Sequence, residues 1–177
     1  MRFVETRIAG LYVVELEKIE DDRGFFGRSF CEQEFAKEGL ATRMVQANIG
    51  FNKRKATLRG LHYQASPFAE AKLVRCTRGR VFDVALDLRP HSRTRGGWYG
   101  VELAEETHLA LYLPEGFAHG YQTLTDNAEI LYLTSQFFQP DAVRGVRFND
   151  LLFNIVWPLE PQVISDKDRS WPDFKWS

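Results

Sequence analysis

The chain has 177 residues, 44% of them hydrophobic and 27% charged, with a formal net charge of −1. That length fits one domain, 1–177, with enough apolar residues to bury an ordinary core. A charge balance this near zero excludes the broad basic footprint of a general nucleic-acid binder, so an anionic ligand needs a local cluster of Lys and Arg. Two cysteines, Cys31 and Cys76, stand in unrelated contexts with no CxxC, which points to a reduced, cytoplasmic chain. The opening run "MRFVETRIAGLYVVELEK" is charged from Arg2 and has no long apolar stretch, so it reads as neither a signal peptide nor a membrane span.

Strand-like runs then follow one another between turn residues. They are "LYVVELEK", "GFFGRSF", "TRMVQANIGF", "TLRGLHYQ", "KLVRCTRG", "RVFDVALDLR", "WYGVELA", "LALYLP" and "EILYLTSQFF". Only "EQEFAKEGL" reads as a short helix, ended by Gly39. Many short strands at regular spacing predict an all-β sandwich or barrel. In "RVFDVALDLR" the period of two puts Phe82, Val84, Leu86 and Leu88 on one face and Val81, Asp83, Ala85 and Asp87 on the other. Asp87 reads as solvent-facing; for Asp83, solvent and a polar lumen are equally compatible with the pattern. The basic run "NKRK" at 52–55 reads as a solvated turn.

His62 lies in "RGLHYQ", where a structural histidine and a proton acceptor are both open. Alternation puts His62 and Arg59 on opposite faces, so both line one site only if the strand bends, and Gly60 is where a bulge does that. His119 follows a turn in "YLPEGFAHGY". Its P-x-G-x-x-H pattern resembles the second motif of cupin barrels, where that histidine faces the lumen; a buried histidine bonded to backbone is the plainer reading. His91 and His108 read as surface residues. A metal site of the His62-x-Gln64, Glu70, His119 kind is poorly supplied, because Gln replaces an imidazole and two histidines leave the sphere thin.

Eight stretches in order, "DDRGFFGRSF", "VQANIG", "LRGLHYQ", "KLVRCTRGRVFDVALDLR", "LPEGFAHGYQTL", "AEILYLTSQFF", "VWP" and "SDKD", resemble the dTDP-4-dehydrorhamnose 3,5-epimerase family from about residue 3 to about residue 170. The resemblance implies a cupin-type jelly-roll, a homodimer, no metal and no redox cofactor. It also implies a nucleotide-linked 4-keto-6-deoxy sugar as substrate. Epimerising a carbon beside a ketone needs a base on one face, an acid on the other and a cation for the enolate oxygen. By resemblance His62 is the base, Asp168 its partner, Lys72 the enolate cation and Tyr132 the opposite acid. Arg23, Arg59 and Lys167 match ligand-contacting positions, and Gln46 and Asn48 match polar contacts near the sugar and nucleotide. His119 matches a lumen contact. The segment holding Arg23 and Phe26 comes from the partner subunit in the family.

Three positions depart from the family pattern. Phe138 replaces a base-stacking tyrosine, keeping the ring and losing the hydroxyl. Arg28 and Val143 stand where acidic residues are usual. Arg28 offers donors where a carboxylate offers acceptors, which suits a CDP or GDP sugar, or an unusual dTDP sugar. The simpler reading has Arg28 in solvent, paired with an acidic neighbour. Whether C3, C5 or both are inverted is open. The competing classes are a metal-dependent cupin oxygenase or isomerase and a non-catalytic nucleotide-sugar binding module.

Overall fold

The computed structural model describes residues 1–176; Ser177, the last residue of the 1–177 domain reading, lies outside them. In chain order the strands begin with β1 (Arg2–Glu5), β2 (Tyr12–Glu15), β3 (Lys18–Asp21) and β4 (Gly24–Gly27). Helix α1 (Glu32–Lys37) precedes β5 (Gln46–Asn52), β6 (Leu58–Gln64), β7 (Lys72–Arg78), β8 (Arg80–Asp87) and β9 (Trp98–Ala104). Then come β10 (Ala110–Leu113), β11 (Phe117–Thr123), β12 (Ala128–Thr134), β13 (Val143–Gly145) and helix α2 (Asp166–Arg169). The order β1-β2-β10-β7-β12-β5 makes one sheet, β13-β6-β11-β8-β9 a second, and β3-β4 a separate hairpin. All named pairs are antiparallel. This is an all-β, cupin-type jelly-roll with short peripheral helices.

Alternating apolar residues explain the layering. Between the sheets, Val81 and Ala85 of β8 meet Val74 and Cys76 of β7, Leu111 of β10 and Ile130 of β12. Burial pushes the Cys76 thiol up to about 11, so it behaves as a small apolar side chain. Outside the second sheet, Val84 and Leu86 are covered by Val146, Phe153 and Trp157. Outside the first, Leu73, Ala110 and Tyr112 are covered by Phe35 of α1, and α1 stops where Gly39 turns to φ +70°.

Both faces of β8 are therefore buried, and this corrects the reading of Asp87 as solvent-facing. Asp87 has no exposed surface. It accepts hydrogen bonds from Arg89 Nη2 at 2.7 Å, Ser92 Oγ at 2.5 Å and Thr94 Oγ1 at 2.7 Å. Burial alone would raise its pKa; these donors outweigh it and the pKa is lowered. Asp83, also without exposed surface, lies in the lumen. The turn at 52–55 begins one residue late: Asn52 is buried and bonds Tyr121 Oη at 3.1 Å, while Lys53, Arg54 and Lys55 are exposed. Among the described residues, no helix is long and apolar enough to cross a membrane.

Candidate active site

A cavity of about 760 Å³ opens between the sheets, with walls from β5, β6, β7 and β12 and a rim from the segment leading into α2. His62 and Arg59 both line it. The bend that lets them do so is at Gly60, where the backbone turns to φ +111° and the β6–β11 register shifts between His119 and Tyr121. A side chain there would bring its Cβ within 2.6 Å of Gly120 Cα and 2.7 Å of the His119 carbonyl oxygen, so only glycine fits.

The His62 side chain keeps 38% of its surface exposed, and its Nε2 lies 2.5 Å from Asp168 Oδ1. A carboxylate at that distance holds the proton on Nε2 and leaves Nδ1 with a free lone pair. Asp168 comes from the far end of the chain. The preceding segment is tied to β6 by Leu58 N donating to the Val163 carbonyl at 2.8 Å. The side chain of Ser165 caps α2 by accepting from Asp168 N at 3.1 Å. Gly60 N donates to Asp168 Oδ2 at 3.3 Å. Burial pushes the Asp168 carboxyl up, but the His62 hydrogen bond and charge, with the Gly60 and Ser165 bonds, bring it below the ordinary carboxylate value.

Tyr132 and Lys72 face His62 from the opposite sheet. Tyr132, on β12, stands opposite Asn48 of β5 and Val74 of β7; Thr134 stands opposite Gln46 and Lys72. One layer of the first sheet thus presents Gln46, Asn48, Lys72 and Tyr132 to the cavity. Burial raises the Tyr132 phenol, the Glu70 carboxylate raises it further, and Arg59 opposes them. Lys72 is only 8% exposed and its Nζ pairs with Glu70 Oε1. Arg59 is held by Nε donating to Asn52 Oδ1 at 2.8 Å. Lys167 and Phe138 complete the mouth, with Phe138 N donating to Gln46 Oε1 at 2.6 Å.

Four of the expected ligand residues stand elsewhere in this chain. His119 is not on the cavity wall; its Nε2 lies 2.9 Å from Asp83 Oδ2 in the lumen. Arg23, Phe26 and Arg28 lie on or next to the β3–β4 hairpin, away from this cavity. Arg23 pairs with Asp21 at 2.5 Å. Phe26 is 69% exposed. The ligand set weighed for a metal does not converge, since His62 bonds Asp168, His119 bonds Asp83 and Gln64 bonds the Phe68 and Phe137 carbonyls. Sequence reasoning missed the cavity roles of Glu70, Thr134, Tyr63 and Val163–Ser165. Glu70 had a usable signal, its spacing of two from Lys72, and Ser165 had one as a helix cap; the irregular Val163 and Ile164 had none.

The sequence profile of the family described as dTDP-4-dehydrorhamnose 3,5-epimerase matches residues 5–175. A relative of that name from Shigella flexneri is 43% identical over 175 residues, 98% of this chain and 96% of the relative. The crystal structure of the Elizabethkingia anophelis enzyme of that name superposes with a TM-score of 0.95 at 40% identity, covering 98% of this chain and 96% of that one. The chain belongs to the dTDP-4-dehydrorhamnose 3,5-epimerase family. A second similar structure, from Legionella pneumophila, is a complex with dTDP-4-keto-L-rhamnose; it has a TM-score of 0.88 and 38% identity, covering 94% of this chain and 89% of that one. Within the epimerase family frame, the Arg28 departure takes the simpler of its two readings. Its Nη1 lies 2.8 Å from Glu34 Oε1 and 61% of the side chain is exposed, so it pairs with an acidic neighbour at the surface. Val143, at the start of β13, lines the cavity and supplies apolar surface where the pattern has an acid.

Proposed function

We propose that this protein inverts one or both carbons flanking the ketone of a nucleotide-linked 4-keto-6-deoxy sugar, of the dTDP-4-dehydro-6-deoxyglucose to dTDP-4-dehydrorhamnose type. The observation that carries the reading is the opposition of an imidazole and a phenol, from different sheets, across one cavity. Nδ1 of His62 removes the proton beside the ketone, and Asp168 stabilises the imidazolium that results. The electron pair moves onto the ketone oxygen, where the Lys72 ammonium stabilises the enolate. Tyr132 returns a proton to the opposite face of the carbon. Solvent then reprotonates the phenolate and takes the proton from the imidazolium, so atoms and charge balance without an oxidant or reductant.

Arg59 and Lys167 supply cations for the pyrophosphate, Gln46 and Asn48 bond the sugar and nucleotide, and the Phe138 ring stacks on the base. Arg28, paired with Glu34 at the surface, gives no ground for preferring a CDP or GDP sugar to the dTDP sugar. The hairpin of a second copy brings its Arg23 and Phe26 to this cavity in a cytoplasmic homodimer of single-domain chains. Exposed Ile19 (72%) and Phe26 (69%) on that hairpin support this.

Turnover in deuterated water with dTDP, CDP and GDP 4-keto-6-deoxy sugars tests the reading. Deuterium is expected at the inverted carbons of the dTDP sugar. Binding of that sugar with no deuterium uptake would make the protein a binding module instead.

A further inference from the structure

We propose that Glu70 is a positioning residue for the epimerisation, aiming the Lys72 ammonium at the ketone oxygen and keeping the Tyr132 phenol in its protonated, donating form. The inference rests on the epimerase reading of the cavity and extends it to a residue which that chemistry leaves without a part.

Three observations support it. First, the pair is sealed: the Lys72 and Glu70 side chains each keep only 10% of their surface exposed. A buried ammonium needs a partner, and Glu70 is the carboxylate that Lys72 reaches. Second, Glu70 is itself anchored. Gln64 Nε2 approaches Glu70 Oε2 at 3.4 Å. Gln64 is in turn fixed by donating to the Phe68 carbonyl at 2.9 Å and by accepting from Gln139 N at 2.6 Å. Third, Glu70, Lys72 and Tyr132 line the same cavity, and Glu70 is the negative charge that raises the phenol after burial itself.

The chemistry follows from the donor count. An ammonium has three N–H donors and Glu70 takes one. The other two are left for the cavity that Lys72 lines. As the enolate forms, negative charge grows on the ketone oxygen, and the ammonium's attraction shifts from Glu70 toward it. That gain exists in the transition state and not before it. The same carboxylate disfavours a phenolate next to it, so Tyr132 keeps the proton it has to deliver. The charged groups lining the cavity with the phenol are Lys72 at the start of β7, Glu70 just before it, Arg59 and His62 from β6, and Asp168 and Lys167 from α2. Of these, Arg59 opposes Glu70 in its effect on the phenol.

Glu70→Gln keeps the shape and removes the charge. Its kcat is expected to fall roughly 10²-fold, the scale of a misplaced reacting group, with KM little changed. The basic limb of its kcat–pH profile is expected to move to lower pH. In a Lys72→Met background the same change should add almost nothing to the loss. Glu70→Asp keeps the charge and should leave the basic limb in place, which covers the case in which the Gln variant folds poorly. Carbon-13 labelling of tyrosine reads the Tyr132 titration directly in substrate-free protein, and in Glu70→Gln that titration should also move to lower pH. An unmoved phenol titration, or a loss fully additive with Lys72→Met, overturns the proposal. A wild-type protein that shows no deuterium exchange refutes the epimerase reading instead, and the phenol titration still decides what Glu70 does.

Discussion

Two His–Asp pairs stand side by side in this barrel, and they differ in access rather than in chemistry. His62 and His119 are directly opposite one another on β6 and β11. The partner of His119 is Asp83, on the next strand of the same sheet, and the side chains of that pair keep 10% and 0% of their surface exposed. The partner of His62 arrives from α2, 106 residues away, and His62 keeps 38% of its side-chain surface open to the cavity. A carboxylate orients an imidazole in both places. The ring of His62 is the more open of the two and lines the cavity. The sealed pair ties the neighbouring strands β8 and β11 together; the open pair is the one to which the proposed function gives the part of base.

The sharpest way to break this comparison is to remove the open imidazole. His62→Asn should lower inversion and deuterium exchange together by roughly 10²–10⁴-fold, the usual worth of a general base, while the melting temperature falls only modestly because the amide can still donate to Asp168. A variant that still exchanged deuterium at near wild-type rates would move the base elsewhere. Tyr132→Phe separates the two faces of the carbon. The base remains, so exchange should persist, while inversion falls by about 10²-fold. Mass and NMR analysis of recovered substrate reads the two quantities apart. Equal losses in both would remove the phenol from the role of opposite-face acid.

Asp168→Asn bears on pH as well as on rate. The folded carboxyl sits below the ordinary value because the His62 bond and charge outweigh burial. Its stabilising contribution is therefore complete above the unfolded carboxyl value near ~3.9 and is lost as pH falls from there through the lower folded value. Melting curves of the wild type should drop across that acid window, and those of the Asn variant should be flatter there. The variant should also turn over more slowly, with the deficit in kcat rather than in KM, because the imidazolium has lost its counter-charge. An unchanged acid profile would mean that the pair contributes nothing to stability.

The barrel itself was readable from the chain because its signal is local. Period-two runs such as 80–87 and 98–104 lie where strands form. What failed on β8 was the assumption of one wet face. The sequence of Asp87 cannot show that Arg89, Ser92 and Thr94 will fold over it, nor that residues 146–157 will cover the far side. The site divides in the same way. The bend at Gly60 was legible, because a glycine between two polar residues on opposite faces has few other reasons to be there. The joining of His62 to Asp168 was visible only through family resemblance, since no periodicity links residues so far apart. Helix α2, four residues long, was not read at all; its capping serine was the available signal. Arg28 shows a third case: of the two readings its departure from pattern allowed, the surface pairing with an acidic neighbour is the one the fold realises, in Glu34.

The gentlest effect on turnover, and the one that sharpens the comparison most, comes from the sealed pair. His119→Phe keeps the ring volume and removes the nitrogen that bonds Asp83, leaving a fully buried carboxylate without its partner. The cost is on the order of 1–3 kcal/mol, which in a chain of this length lowers the melting temperature by roughly 2–4 °C for each kcal/mol. Turnover per folded molecule should change far less than in His62→Asn, since His119 is not on the cavity wall. The proper readout is therefore the ratio of the two losses, in rate and in melting temperature. For His62 rate dominates; for His119 stability dominates. If His119→Phe stayed as stable as the wild type but lost turnover, access would not be what distinguishes the two histidines, and the lumen pair would have to be given a direct part in holding or protonating the sugar.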